Sequence, residues 1–333
     1  MNFSMWIKAL QIIPQITKAE WQRLDIISRW LISTRAAVLI MTFISATIAG
    51  LLALRAGQFN PLYWLLTAVG LVFAHALNNL LNDLTDFERG VDKGNYFRTQ
   101  YGPQVIEQGL MTRKELLGYA AVTGAIALAA GLYLVAMRGP LTLLFLGLGA
   151  IFVFFYTWPL KYIGLGEVAV LLVWGPLMIG GGYFVISGQW DWNVVLAGLP
   201  YAIGTTTVIY GKHIDKLEAD KAKHIRTLPV LIGEKTARLS VQVMFVLMYA
   251  LVIGLVLTGY FSPVMLVVLL ALFSLPGVWK RYSKPRPSAP PENEKEGWPL
   301  WFVAAAFVHN RRYGLLFLLG LILNVVVKLV FKI

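Results

Sequence analysis

Nine stretches of this chain are each long and apolar enough to cross a hydrocarbon layer about 30 Å thick. They are residues 36–55, 61–82, 115–136, 140–158, 165–187, 193–211, 236–258, 262–279 and 313–331. No soluble core needs so many apolar runs of this length, and charge is correspondingly scarce: 14% of residues, against about 25% in a typical soluble domain. The expected fold class is an all-α integral membrane protein, a bundle of nine transmembrane helices. Glycines and prolines inside the runs, as in Trp174-Gly175-Pro176 and Gly180-Gly181-Gly182, are compatible with this, because neighbouring helices satisfy the freed backbone groups.

The charges between the runs give an orientation. Alternating sides along the chain, 25 of the 29 Lys and Arg residues fall on one side, leaving Arg55, Arg138, Lys328 and Lys332 on the other. Positive charge is retained in the cytoplasm, so the N-terminus is expected inside and the C-terminus outside, with a plasma (inner) membrane location. The net charge of +12 is then a topology signal and not the mark of a nucleic-acid binder. Residues 1–35 mix Trp6, Trp21 and Trp30 with Lys8, Lys18, Arg23, Arg29 and Arg35. They read as an amphipathic surface segment preceding a polytopic domain over 36–333. No cleavable signal is evident, so the first helix is expected to stay in the membrane. Residues 280–312, rich in proline from Pro285 to Pro291, read as a cytoplasmic linker before the last helix.

Two polar bursts break the apolar pattern. The first, Asn78 to Asp92, sits on the end of the second run. Asn82 and Asp86 are spaced i, i+4 and Asp83 and Asp86 i, i+3, so on a helix their side chains share one face. Hard oxygen donors grouped this way suit Mg2+, which keeps part of its water shell and is often completed by phosphate oxygens. Gly90 permits a turn that returns Asp92 toward the same place. Cysteine is absent, so thiolate ligands are excluded.

The second burst, Lys212 to Lys221, lies four runs later at the same membrane face, a weak internal repeat of the kind that places a site at the repeat interface. Facing acidic clusters suit a pair of Mg2+ ions around a diphosphate. If the helix continues through Lys216, Asp215 and Glu218 share a face. If it ends there, Asp220 comes in beside Asp215. Between the bursts, Pro159 ends a helix and Lys161 stands at the cytoplasmic edge, placed either to contact phosphate oxygen or simply to snorkel. Arg98 offers a fork of donors for the same phosphate role.

These residues resemble a known family. Asn82-Asp83-x-x-Asp86-x-x-x-Gly90-x-Asp92 followed by Gln104 to Leu110 is similar to the first aspartate-rich motif and loop of the UbiA superfamily of intramembrane prenyltransferases. The Gly-x-Asp ending, Tyr156 to Glu167 with Gly175-Pro176-Leu177, and Arg226-Thr227-Leu228-Pro229-Val230 resemble the branch acting on 1,4-dihydroxy-2-naphthoate in menaquinone synthesis. The resemblance implies helices around a central cavity and two Asp-rich cytoplasmic loops. It also implies a prenyl diphosphate held through Mg2+ by Asn82, Asp83, Asp86, Asp92 and acids of the second motif. Asp215 and Asp220 are the expected metal ligands there, and Glu218 a further contact. Lys161, Arg98 and Tyr156 would bind or shield the diphosphate. The second motif departs from the family pattern: its acids are five apart instead of four, Lys216 stands between them, and Lys212-His213 precede them where Asn is usual.

The implied reaction is transfer of a prenyl chain from its diphosphate to an aromatic acceptor. Terpene cyclisation on the same scaffold needs the same metal site without the acceptor. A cation transporter would use intramembrane acids, but here the acids collect at one membrane face.

Overall fold

The computed structural model describes residues 2–94, 102–292 and 298–331, and among these every regular element is helical. Three short helices come first: α1 (Phe3–Gln11), α2 (Lys18–Gln22) and α3 (Ile26–Ser33). Each starts at the polar side chain its sequence supplies, Asn2, Thr17 and Asp25, and Thr17 forms a reciprocal capping box with Glu20. Asp25 also accepts from Asn2 N at 2.8 Å and from Trp6 Nε1 at 3.1 Å, folding α1 back on α3. Trp21 is buried, and with Leu24, Leu31 and Ile32 it joins a core shared with Leu80, Val105 and Leu116. The N-terminal segment therefore packs on the polar end of the bundle, while Phe3, Ile7 and Leu10 of α1 stay exposed.

Among the described residues, eight helices are long and apolar enough to cross a membrane: α4 (Ala36–Arg55), α5 (Pro61–Glu88), α6 (Arg113–Arg138), α8 (Gly166–Ser187), α9 (Trp192–Asp215), α12 (Glu234–Leu257), α13 (Pro263–Tyr282) and α14 (Phe302–Phe331). The remaining expected span, 140–158, appears as α7 (Pro140–Phe155), which at 16 residues is about 24 Å long and shorter than the hydrocarbon layer. Short helices α10 (Leu217–Ala222) and α11 (Leu228–Ile232) follow α9.

Helix α9 is the axis of the fold, packed on α8, α12 and α14. Its Tyr201 is wholly buried and donates to Met41 O at 3.1 Å, tying α9 to α4. Pro176 supplies no amide to the helical ladder, and α8 widens to π geometry over Val173–Gly181 around it.

Two boundaries differ from expectation. Helix α5 runs six residues past the apolar run, to Glu88, and so carries Asn82, Asp83 and Asp86 on regular helix. Its 28 residues, about 42 Å, exceed the hydrocarbon thickness and project the polar turn beyond it. Helix α14 begins at Phe302, eleven residues before the expected start, so the C-terminal part of the 280–312 linker is helix packed in the bundle. His309 is fully buried there, within hydrogen-bond distance of Tyr249 Oη at 3.1 Å and Ser274 Oγ at 2.9 Å. Hydropathy missed this stretch because His309, Asn310, Arg311 and Arg312 lower its average.

Candidate active site

The first polar burst folds as the spacing requires. Asn82, Asp83 and Asp86 are all buried along α5. The helix then stops in a Schellman turn: Gly90, at φ 66°, donates to Phe87 O at 3.0 Å and Val91 donates to Asp86 O at 2.9 Å. This turn folds the chain back, and Asp92 is buried as well. Lys223 fastens the turn from the second burst, donating to Gly90 O at 3.0 Å, to Lys93 O at 2.7 Å and to Val91 O.

Buried acids need compensation, and Asp83 and Asp86 each find a cation. Lys161, expected at the cytoplasmic edge, is buried with its Nζ 2.9 Å from Asp86 Oδ1 and 3.3 Å from Oδ2. Burial pushes the Lys161 amine below its ordinary pKa, against the pull of the Asp86 carboxylate. The charges of Lys216 and Asp220 also act on it, so the two bursts converge around this amine. Arg35 pairs with Asp83. Arg35 is the left-handed residue, φ 55°, that starts α4, and the sequence reading had placed it only as an interfacial anchor. Asn82 donates to Thr157 Oγ1 at 3.0 Å, fixing α5 to the segment that carries Tyr156 and Lys161. Arg98 lies outside the described residues.

In the second burst the helix is interrupted and Asp220 is buried, as in the alternative in which the helix ends. Helix α9 stops at Asp215, Lys216 forms the break, and α10 starts at Leu217. Asp215 is buried, but its carboxylate accepts from Phe302 N at 3.0 Å and Val303 N at 3.0 Å, capping α14. The carboxylate that the sequence assigns to a metal is thus engaged by backbone amides of α14. Glu218, the further contact expected from the sequence, is exposed on α10. Asp220 alone turns inward: it is buried, with Oδ1 3.3 Å from Lys216 Nζ and Oδ2 without a hydrogen-bond partner. A pairing that the spacing gave no sign of lies alongside, with the buried Glu167 Oε1 2.6 Å from His213 Nδ1.

Above the polar cluster lies a cavity of about 920 Å³, within the range of small-molecule sites. Arg35, Asn79, Asn82, Tyr156 and Lys212 line its polar end. From there it follows α5 back to Leu66, a length of roughly 24 Å, between walls such as Leu134, Phe145, Trp174 and Val185.

A family model described as the UbiA prenyltransferase family matches residues 43–294, about three quarters of the chain. The chain belongs to the UbiA prenyltransferase family. It is thus a membrane-embedded transferase of prenyl groups. One relative of this UbiA chain is the 1,4-dihydroxy-2-naphthoate octaprenyltransferase of Bacillus subtilis, 26% identical over 242 residues, covering 72% of this chain and 77% of that protein. The fold is similar to that of a UbiA homologue from Aeropyrum pernix, with TM-score 0.65 and 19% identity over 86% of this chain and 98% of the other. It is also similar to a UbiA homologue from Archaeoglobus fulgidus described as bound to GPP and Mg2+, with TM-score 0.57 and 17% identity over 88% of this chain and 99% of the other.

Whether this UbiA site suits Mg2+ is decided by its donors. Asn82, Asp83, Asp86 and Asp92 offer oxygen donors, the chemistry Mg2+ prefers, and Asn82 also lines the cavity. Among the described residues, no three His, Cys, Asp or Glu side chains group so as to hold a metal by themselves. Oxygen donors so placed suit only a cation that draws the rest of its shell from water and substrate oxygens.

Proposed function

We propose that the protein transfers a prenyl chain from a prenyl diphosphate to an aromatic acceptor of the 1,4-dihydroxy-2-naphthoate class, with Mg2+ held by Asn82, Asp83, Asp86 and Asp92. The observation that carries this reading is a long apolar cavity ending on a buried cluster of acids and cations. A polyprenyl tail matches the apolar length, and a diphosphate matches the charged end. The naphthoate acceptor rests on the similarity to the Bacillus subtilis enzyme. The site is assigned to the cytoplasmic face of an inner membrane, where the positive charge lies.

When bound, Mg2+ would neutralise negative charge on the leaving diphosphate. Lys212 supplies positive charge at the polar end of the cavity, Lys161 pairs with Asp86, and Arg35 and Thr157 hold Asp83 and Asn82 in position. The allylic C–O bond breaks, its electron pair leaves with diphosphate, and an electron-rich ring carbon attacks the allylic cation. That carbon then loses a proton, or carbon dioxide where it bears the carboxylate, and the electrons of the broken bond return to the ring. The apolar walls and aromatic faces such as Tyr156 and Trp174 keep water from the cation.

The test is incubation of purified protein and Mg2+ with prenyl diphosphates of graded length and a panel of aromatic acceptors, read by mass. A prenylated naphthalenoid product is expected. A cyclic terpene formed equally well without acceptor would overturn the reading in favour of a cyclase.

A further inference from the structure

Helix α14 brings a charge to the cavity far from its polar end. Val303, Ala304, Phe307, Val308 and Arg311 all line the cavity. Recurrence at i, i+1, i+4, i+5 and i+8 marks a single helix face, apolar until its last member. Arg312, the next residue, lines a separate hollow beside Ser274, so of the two arginines Arg311 is the one on the cavity face.

Its depth follows from its neighbour. Gly204, halfway along the membrane-spanning α9, lies against the Asn310 side chain, where a Cβ would collide with Oδ1. Arg311 is therefore close to the level of the middle of that span. Lys212, at the polar end, is eight residues and about 12 Å further along α9.

A guanidinium stays charged in any protein environment, and at this depth it is unfavourable unless an anion meets it. Intramembrane charges accordingly face cavities and mark substrate paths. Among the described residues, none accepts a hydrogen bond from Arg311 or forms an ion pair with it; its guanidinium lies 5.9 Å from the centroid of the Phe307 ring. The planar fork of donors matches a carboxylate in two parallel hydrogen bonds. The diphosphate is assigned to the polar end, so the anion for Arg311 belongs to the second substrate.

We propose that Arg311 binds the carboxylate of the aromatic acceptor within the membrane, and thereby selects aromatic acids over neutral hydroquinones. The interval between Lys212 and Arg311 leaves room for the allylic carbon and the ring, with the carboxylate directed away from the diphosphate. The proposal rests on the acceptor reading above and deepens it.

The test is equilibrium binding, independent of turnover. The purified full-length protein in lipid nanodiscs, with Mg2+ and the unreactive geranyl S-thiolodiphosphate, is titrated with fluorescent 1-hydroxy-2-naphthoate and, separately, with its methyl ester. Arg311→Gln should weaken binding of the acid by about 10- to 100-fold, the worth of a charge-assisted pair, and leave the ester unchanged. Arg311→Lys should recover part of the loss, and Arg312→Gln should bind the acid as the unaltered chain does. Equal affinity of Arg311→Gln and the unaltered chain for the acid, or equal loss for acid and ester, would overturn the Arg311 proposal alone. So would a loss confined to the geranyl analogue, which would make Arg311 a diphosphate contact. No binding of the acid by the unaltered chain would overturn the naphthoate reading and this proposal with it.

Discussion

The carboxylate of Asp215 and the backbone amide of Phe302, 87 residues apart, are joined at 3.0 Å from Oδ1 and 3.1 Å from Oδ2, so the end of α9 caps the start of α14. A buried helix start without such a partner leaves amides unsatisfied. Asp215→Ala should therefore cost about 1–3 kcal/mol of stability. It should leave half-saturation by Mg2+ unchanged. Thermal unfolding in detergent together with an Mg2+ titration of prenyl transfer checks both. A shifted Mg2+ dependence at unchanged melting temperature would return Asp215 to the metal site.

Asp86 has the opposite profile. It is buried against Lys161, one turn along α5 from Asn82, which lines the cavity. Removing a preorganised electrostatic partner of this kind commonly costs about 100- to 1000-fold in rate. Asp83→Ala and Asp86→Asn are each expected to lose at least about 100-fold in initial rate at saturating Mg2+, with protein still folded by size-exclusion chromatography. Near-normal rates in either variant would remove the first burst from the chemistry.

What the sequence disclosed depended on how local the cause was. Asn82, Asp83 and Asp86 were legible because helical spacing alone puts them on one face, and Gly90 because a helix stop needs a left-handed residue there. Lys161 was legible as a basic residue near the site, but the two roles left open for it, snorkelling or meeting phosphate, did not include pairing with Asp86. The pairings of Arg35 and Asp215 were hidden for one reason: their partners, Asp83 and Phe302, are 48 and 87 residues away and no spacing rule reaches them. The start of α14 was hidden because His309 and its polar neighbours look like a loop until Tyr249 and Ser274 are seen to satisfy the ring.

The junction of α9 and α14 also explains a glycine. A Cβ on Gly211 would stand 2.6 Å from Tyr282 Oη and 2.9 Å from both Cα and N of Val303. Backbone atoms held by the Asp215 cap cannot yield, so Gly211→Ala should destabilise by about 1–3 kcal/mol. Gly147, on an exposed face of α7 with nothing within 4 Å of its would-be Cβ, is the control. Gly147→Ala should be neutral or stabilise by up to about 1 kcal/mol. Equal melting temperatures for the two variants would contradict the tight crossing.

Orientation is the last expectation. Of the four basic residues on the sparse side, two are committed to carbonyl groups. Arg55 donates to Tyr260 O with its guanidinium 4.6 Å from the Tyr260 ring centroid, and Arg138 donates to Val185 O and Ile186 O, each at 2.8 Å. Both thus bind helix ends, and little unengaged positive charge is left to oppose the 25 residues of the other side. The chain has no cysteine, so single cysteines introduced at exposed Gln108, Lys235 and Gln189 report without background. In sealed cells an impermeant thiol reagent should reach Gln189→Cys from outside and leave Gln108→Cys and Lys235→Cys unlabelled until the membrane is opened. Labelling of Gln108→Cys or Lys235→Cys in intact cells would place both polar bursts on the external face and reverse the assignment.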